Sequence, residues 1–300
     1  MKLKRQPKIL KNIPVELKSL VKTPITIAPN ATLLDVRDIL IRYGIGRLVV
    51  KSGKKSIGII TEKDIARSAS VFSKKPIGKV LVGEVMSKNL ITVSPNASIY
   101  DCAKQMTQHG ISSVIVQDKR QNLVGVVTKT DLVSTFLVQS TASLEISKIM
   151  TKKVITVSPD DSIFEIQSVL FNNKISRVVV TKNKKPVGII TYRDFVPAKT
   201  LHKEYVTPME REDISSDSQL NEFNVNQLSY LLTFSAKDIM TKEPFVVYPD
   251  NDAYTAAIIM IRQGISGIPV IRNQKLVGLI TKSDIVNVLA SKGKLNSSNV

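Results

Sequence analysis

The sequence contains very little of what disulfide scaffolds and metal centres are made from. It has one cysteine, Cys102, and two histidines, His109 and His202, among 300 residues. A disulfide needs two cysteines, and a zinc site needs several Cys or His ligands at close spacing. We therefore expect no disulfide and no metal. Cys102, for which no basic partner is evident, is interpreted as an inert side chain.

Long apolar runs, aromatic residues and catalytic motifs are also scarce. No apolar run approaches the roughly 18 residues of a membrane helix, and the basic start MKLKRQPKIL lacks the apolar stretch of a signal peptide. Tryptophan is absent, and aromatic residues make up 5% of the chain. We find no phosphate-cradling glycine loop and no pairing of nucleophile with base. The chain is predicted to be a soluble cytoplasmic protein and not an enzyme.

Basic residues, by contrast, are abundant. The 43 Lys and Arg exceed the 25 Asp and Glu and give a net charge of +18. Nucleic acid, anionic lipid and nucleotide phosphates are all partners that fit such a charge. Residues 1–22 carry seven Lys or Arg against one Glu, whereas residues 197–236 carry three against six acidic residues. The first 20 residues are interpreted as a basic tail.

A motif recurs four times along the chain. GIITEKDIARSA at 58–69 returns as GVVTKTDLVSTF at 125–136, GIITYRDFVPAK at 188–199 and GLITKSDIVNVL at 278–289. The distance from an upstream proline to the motif's aspartate is 35, 36, 35 and 35 residues, counted from Pro29, Pro95, Pro159 and Pro249. Such constant spacing indicates four copies of one structural unit. The prolines lie 66, 64 and 90 residues apart, so an insertion falls in the third interval.

Each copy predicts the element order β-α-β-β-α. A β-branched strand ends at the proline, a short polar residue offers an N-cap, and apolar residues follow at helical spacing, as at Ile99, Ala103 and Met106. Glycines 44, 110 and 264 are placed to end three of these helices, with Asn173 as the candidate cap beside Lys174 in the third unit. Two strands around a polar turn and a helix opened by Thr-x-x-Asp complete the unit.

One unit alone would leave an apolar sheet face exposed. We therefore expect units one and two to form one globule and units three and four another. The insertion is predicted to be a connector with an amphipathic helix around Leu220, Phe223, Leu228, Leu231 and Leu232. The predicted boundaries are a tail at 1–20, units at 21–80, 81–142, 143–199 and 237–292, the connector at 200–236 and a second tail at 293–300.

Together these features resemble the CBS domain, named after cystathionine β-synthase, over roughly residues 20–292. SKIM at 147–150 and KDIM at 237–240 resemble the lead-in segment of that family. The resemblance implies an α/β (α+β) fold in which four CBS repeats form two tandem CBS-pair modules. Such pairs also form the regulatory γ subunit of AMP-activated protein kinase. A stand-alone regulatory protein fits best.

The resemblance also implies where a ligand binds. Family members hold adenosine ligands between paired units, with the motif's Asp accepting bonds from ribose hydroxyls and its Thr reaching ribose or phosphate. The matching residues are Thr61, Asp64, Thr128, Asp131, Thr191, Asp194, Thr281 and Asp284. The strand before the proline lies beside the base, and its matching residues are Thr26, Thr92, Thr156 and Val246. Arg47 and Arg177 match a phosphate-binding position at which units two and four have Ser113 and Gly267.

Thr-x-x-Asp has a second interpretation that needs no ligand. It is close to a helix capping box, in which Thr caps an amide and the acid returns the bond. Capping and ligand binding can coexist at one site, so both interpretations stay open here.

The predicted function is a sensor of AMP, ADP or ATP that passes occupancy to an unknown regulated protein. The nucleotide would be a regulatory ligand, and no other cofactor is expected. One alternative is a basic nucleic-acid-binding protein that uses the tail and the hairpins. Another is S-adenosylmethionine or a related nucleoside as the ligand. Four units could make a flat, disc-like arrangement within one chain, or two chains could pair like with like. The homodimer is the expectation, because the long third interval relaxes docking within one chain.

Overall fold

The computed structural model describes residues 16–68, 77–139, 143–196 and 234–296, with side chains as far as residue 291. None of the helices in these ranges is long and apolar enough to span a membrane. The first 15 residues and nearly all of the predicted connector, including its predicted amphipathic helix, lie outside the described residues.

The four units share one sheet plan. Their first strand pairs in parallel with the second, and the second pairs antiparallel with the third, so that Thr26 lies beside Val49 while Arg47 lies opposite Thr61. In unit four the first strand is reduced to a parallel bridge between Val247 and Val270. The strands are β1 Thr26–Ile27, β2 Arg47–Ser52, β3 Lys55–Thr61, β4 Thr92–Val93, β5 Ser113–Gln117, β6 Leu123–Thr128, β7 Thr156–Val157, β8 Arg177–Lys182, β9 Lys185–Thr191, β10 Thr241–Lys242, β11 Gly267–Arg272 and β12 Lys275–Thr281.

The first helix of each unit begins as the sequence predicts, and the predicted glycines adopt the left-handed conformation at its end in units one, two and four. Three of them start with a capping box, and Asp252 caps the fourth. Ile99, Ala103 and Met106 are buried. In unit three Lys174 itself adopts the left-handed conformation, with φ of 53°, so Asn173 does not replace glycine there. These helices are α2 Leu33–Tyr43, α5 Ile99–Gln108, α8 Ile163–Asn172 and α10 Ala253–Arg262.

The described parts of the closing helices are α3 Glu62–Ser68, α6 Lys129–Gln139 and α11 Lys282–Asn296, and the described part of unit three has a 3-10 helix, Tyr192–Phe195. The residues after Ser68, Gln139, Val196 and Asn296 lie outside the described residues. The sequence continues after Val196 with Pro197, which has no amide hydrogen to donate to a preceding turn. The full helix predicted in unit three is therefore absent from the described residues.

A lead-in segment precedes each unit and packs on the neighbouring unit of its pair. The four short helices are α1 Leu17–Leu20, α4 Val82–Val85, α7 Ile146–Ile149 and α9 Ala236–Ile239. The residue that follows each lead-in helix by two positions forms an antiparallel bridge with the third strand of the other unit. These bridges join Lys22 to Val126, Ser87 to Ile59, Thr151 to Leu279 and Thr241 to Ile189. The exchange confirms the predicted pairing of units one with two and three with four.

The exchange gives the glycine of Gly-x-x-Thr a steric role. A Cβ on Gly58 would lie 2.5 Å from Sδ of Met86, and Gly188 and Gly278 meet the lead-in methionines Met240 and Met150 in the same way. At Gly125 the obstacle is Val21 and the carbonyl oxygen of Lys22. Residues 16–22 are thus packed against unit two, with Leu17 buried in its core, although the sequence assigned most of them to a tail.

The two pairs are not separate globules, and that expectation is corrected. Helices α5 and α6 of unit two share one hydrophobic core with α10 and α11 of unit four. On the other side, Ala66 of unit one lies in the core of unit three, and Val196 of unit three lies in the core of unit one. The faces that a homodimer was expected to use are therefore covered within one chain, and the homodimer stays a prediction without that support.

We expect Gly125→Ala to destabilise the first pair, because the new methyl group would overlap Val21 and lie 2.7 Å from the carbonyl oxygen of Lys22. Backbone cannot move aside as a side-chain tip can, so a loss of about 1–3 kcal/mol in the free energy of unfolding is expected in urea titrations. Gly78→Ala is the matched control, since its nearest neighbour would be 3.8 Å away. Equal stabilities for the two variants would contradict the steric role of Gly125.

Candidate functional site

The four Thr-x-x-Asp motifs adopt one geometry. In each, Oδ2 of the Asp accepts hydrogen bonds from both the backbone N–H and the hydroxyl of the Thr, over 2.6–2.9 Å. The acid therefore returns the bond expected of a capping box in all four motifs, and the bond from the Asp N–H to the Thr hydroxyl is present in units two and three. The other oxygen, Oδ1, takes no part in the bonds to Thr.

In three units, no other residue in the described part of the chain hydrogen-bonds or ion-pairs with that second oxygen, Oδ1 of Asp64, Asp194 and Asp284. The backbone N–H of Asp194 and of Asp284 also bonds to its own carboxyl group. Burial raises the pKa of these three carboxyl groups above its ordinary value, although the bonds from Thr act in the opposite direction. A desolvated acceptor with one open oxygen is suited to neighbouring hydroxyl donors.

Unit two differs from the other three. Nζ of Lys22 lies 2.6 Å from Oδ1 of Asp131, so both oxygens of this carboxylate are engaged. The Asp131 side chain is buried, with 4% of its surface exposed.

The two predicted arginines cross into the neighbouring unit. Arg47 Nη1 donates a 2.8 Å hydrogen bond to the carbonyl oxygen of Ser112 in unit two. Arg177 extends against Gly267 in unit four, where a Cβ would overlap its Nη1. Ser113 and Gly267 thus occupy the positions equivalent to the arginines, and Gly267 makes room for the arginine of the partner unit. This arrangement explains why only units one and three carry Arg.

Arg177 is short of partners. Its Nη1 is buried and has no hydrogen-bond partner within the described part of the chain, while Nη2 donates to Ser176 Oγ at 3.2 Å. Burial lowers its pKa to about 10. A buried guanidinium with an unused donor is a position at which an anionic group would be stabilised.

Two lysines that the sequence did not single out lie where units two and four meet, near Arg47 and Arg177. We call this meeting point the junction. Lys129 of unit two donates to Ser283 Oγ of unit four at 2.8 Å, and Lys282 of unit four donates to Thr130 Oγ1 of unit two at 3.0 Å. Each directly follows the Thr of its motif, where units one and three have Glu62 and Tyr192. The sequence signal that could have identified these two lysines is the Thr-Lys dipeptide, which occurs in the motifs of units two and four but not in those of units one and three.

The basic side chains at the junction outnumber the acidic groups that act on them. Burial, together with the positive charges of Arg177 and Arg47, lowers the pKa of Lys129 and of Lys282 to about 8. Arg193 also acts on Lys282, and its Nε donates to Glu62 Oε1 at 2.7 Å. All four units contribute a cation, and the acidic groups that act on them are Glu62, Asp131 and Asp284.

The predicted base-side residues lie on exposed strand positions. Thr26, Thr92 and Thr156 are exposed, and each stands beside the second strand two residues beyond the arginine, or its substitute, of the unit. Val246 is 37% exposed. No contact in the described residues joins them to the aspartates, so their role stays a prediction.

The remaining nucleophile and metal candidates contribute nothing to this junction. Burial raises the pKa of the Cys102 thiol to about 12, which fits an inert side chain. The described ranges contain no group of three or more His, Cys, Asp or Glu arranged to hold a metal ion.

Comparison with known proteins identifies the family to which this architecture belongs. The model of the CBS domain matches residues 17–70, 82–137, 146–199 and 236–291. An uncharacterized protein of Methanocaldococcus jannaschii, MJ1404, is 24% identical over 96% of this chain. The match covers 64% of that relative, so this chain spans less than two thirds of its length.

Two solved structures share the fold over nearly the whole chain. Protein MJ1225 of M. jannaschii, described as a candidate archaeal homolog of g-AMPK, superposes with a TM-score of 0.79 at 20% identity, covering 92% of this chain and 100% of its own. An uncharacterized conserved protein of Pyrococcus horikoshii superposes with a TM-score of 0.59 at 22% identity over 91% and 98% of the two chains. The chain belongs to the CBS domain family, with four CBS domains in two pairs.

Proposed function

We propose that this protein is a regulatory sensor that binds adenosine-containing nucleotides between its paired CBS domains. The observation that carries the proposal is the junction of the four units. There, cations from all four units collect, and two of them, Arg177 and Lys129, lie near Asp284, whose Oδ1 has no partner from another residue in the described part of the chain. A molecule with both a diol and a phosphate satisfies the two needs at once.

The ribose would bind to the aspartates. Vicinal hydroxyls are paired donors, and Oδ1 of Asp64, Asp194 or Asp284 accepts from them while Oδ2 continues to cap its helix. Capping then orients the carboxylate, because two bonds from Thr fix it before a ligand arrives. In this scheme the cap is part of the binding site.

The phosphates would bind to the cations of the junction. Arg177 has a buried N–H donor, Nη1, without a partner among the described residues. Burial and the neighbouring positive charges lower the pKa of Lys129 and of Lys282 to about 8, so a nearby anion would stabilise their charged forms. An anion repays the desolvation of these groups. The same excess of positive charge disfavours S-adenosylmethionine, whose sulfonium carries a positive charge, and favours AMP, ADP or ATP.

Occupancy would be passed on through the contacts between pairs. Lys129 and Lys282 hold units two and four together through reciprocal bonds. A phosphate that recruits these ammonium groups competes with those bonds and shifts the preferred orientation of the pairs by its differential affinity for the two arrangements. The regulated partner would respond to that orientation, and no catalytic step is assigned to this chain.

A second candidate, nucleic-acid binding, is favoured by one observation. The basic hairpin turns of each pair meet, through a bridge between Lys55 and Asn122 and a 2.8 Å bond from Leu276 N to Lys184 O. Each pair thereby presents a cluster of exposed cations: Lys54, Lys55, Lys119 and Arg120 in the first, and Lys182, Lys184, Lys185, Arg272 and Lys275 in the second. Such clusters suit a phosphate backbone.

Asp194→Ala tests the ribose contact. Losing a charge-assisted bond should weaken AMP and adenosine alike by roughly 10- to 150-fold, measured by calorimetry. Asp35→Ala is the matched control, because Asp35 makes the same bonds to Thr32, over 2.8 Å, at the exposed start of α2. Both variants should lose about 1 kcal/mol of stability through the cap. If Asp194→Ala changes only stability, as Asp35→Ala should, the ribose assignment in unit three is wrong.

The lowered lysine pKa values predict proton uptake on binding. At pH 8.5 Lys129 and Lys282 are largely neutral in the free protein, since their pKa is about 8. A bound phosphate would raise both pKa values, so AMP should bind with proton uptake and its affinity should fall as pH rises from 7 to 9.

Calorimetry at pH 8.5 in two buffers with different ionisation enthalpies measures that uptake directly. Adenosine, which lacks the phosphate, is the ligand control and should show none. Lys282→Gln should reduce the uptake seen with AMP. Identical AMP heats in the two buffers would contradict a phosphate at this junction.

The nucleic-acid candidate predicts weak binding that depends steeply on salt. Lys54→Glu combined with Lys119→Glu should reduce binding of a DNA duplex at 50 mM salt, as measured by fluorescence anisotropy, and leave AMP binding unchanged. Lys18→Glu with Lys148→Glu, which lie away from the hairpins, gives a charge-matched control. Equal losses for the two double variants would assign the binding to net charge alone.

A further inference from the structure

Lys22 stands at a position where the other lead-in segments carry a hydroxyl. The lead-ins place Val21, Met86, Met150 and Met240 over the glycines of their partner units. The next residue is Ser87, Thr151 or Thr241 in three cases and Lys22 in the fourth. The lysine is therefore specific to the segment that packs on unit two.

The backbone fixes Lys22 in place beside the motif of that unit. Its N–H donates to Val126 O at 3.1 Å, and Val126 N–H donates to Lys22 O at 2.9 Å. Val126 lies two residues before Thr128. From that anchor the side chain delivers Nζ to Oδ1 of Asp131 at 2.6 Å.

The ammonium occupies the acceptor that a ribose would need. Oδ2 of Asp131 is engaged by Thr128, and Oδ1 is engaged by Lys22, whereas Oδ1 of Asp64, Asp194 and Asp284 has no such partner among the described residues. The Asp131 carboxylate is buried while the Lys22 side chain is 69% exposed, so the pair is partly buried and is screened less than a fully exposed pair would be. The lysine competes from within the chain, at a high effective concentration.

We infer that Lys22 keeps the Asp131 cleft closed to nucleotide, so that three of the four motifs bind ligand and the fourth is held by the chain itself. The inference rests on the proposed function. It assigns Lys22 as the residue that sets the number of binding sites.

The number of AMP molecules bound per chain, measured by native mass spectrometry and calorimetry, tests this assignment. The unaltered chain should saturate at no more than three AMP per chain. Lys22→Thr, which restores the residue type of two other lead-ins, should bind one AMP more. Lys22→Thr combined with Asp131→Ala should lose that extra site. Lys18→Thr, on the same lead-in segment and also exposed, should leave the stoichiometry unchanged.

Each outcome bears on the inference. Four AMP bound to the unaltered chain, or the same number bound to the unaltered chain and Lys22→Thr, would overturn the role of Lys22 while leaving the sensor proposal intact. Weaker AMP binding in Lys22→Thr would make Lys22 a ligand contact and overturn the inference as well. Absence of AMP binding in every variant would overturn both proposals together.

Discussion

The exchange of lead-in segments between neighbouring units is the constraint on which the rest of the structure depends. Each lead-in adds its backbone to the third strand of the other unit, which only a residue without a Cβ permits at the point of crossing. The third strand runs directly into the Thr-x-x-Asp turn. The packing that joins two units thus also sets the position of the motif's carboxylate.

The exchange brings the second strands together as well. Val49 and Ile115 of units one and two pack in a small cluster with Val126, so the sheets of the first pair touch along their inner faces. Arg47 and Arg177 begin their strands and cross to the partner unit from there. Each of the two arginines thus spans both units of its pair.

Local spacing was sufficient to predict much of this. The four units, their element order, the N-caps and the aspartates follow from periodicity and from the constant distance between proline and Asp. The pairing followed from the apolar face that a single unit exposes. These features depend on contacts within one unit or between neighbours in sequence.

What the sequence did not predict depends on contacts across long separations. The bond between Lys129 and Ser283 joins residues 154 positions apart, and that between Lys282 and Thr130 joins residues 152 apart. No local pattern specifies that these residues face one another. Lys22 was missed for a related reason, because its partner, Asp131, belongs to another unit. In unit three the described residues stop at Val196, so the predicted closing helix is described only as the 3-10 helix Tyr192–Phe195.

The core shared by units two and four has a consequence for how the two pairs can move. Units two and four meet through α6 and α11, of 11 and 15 residues, and share a continuous core. A rotation that drew α6 away from α11 would expose that core to water, which costs free energy in proportion to the apolar area exposed. A movement between the pairs is therefore expected to keep this contact and to pivot on units two and four.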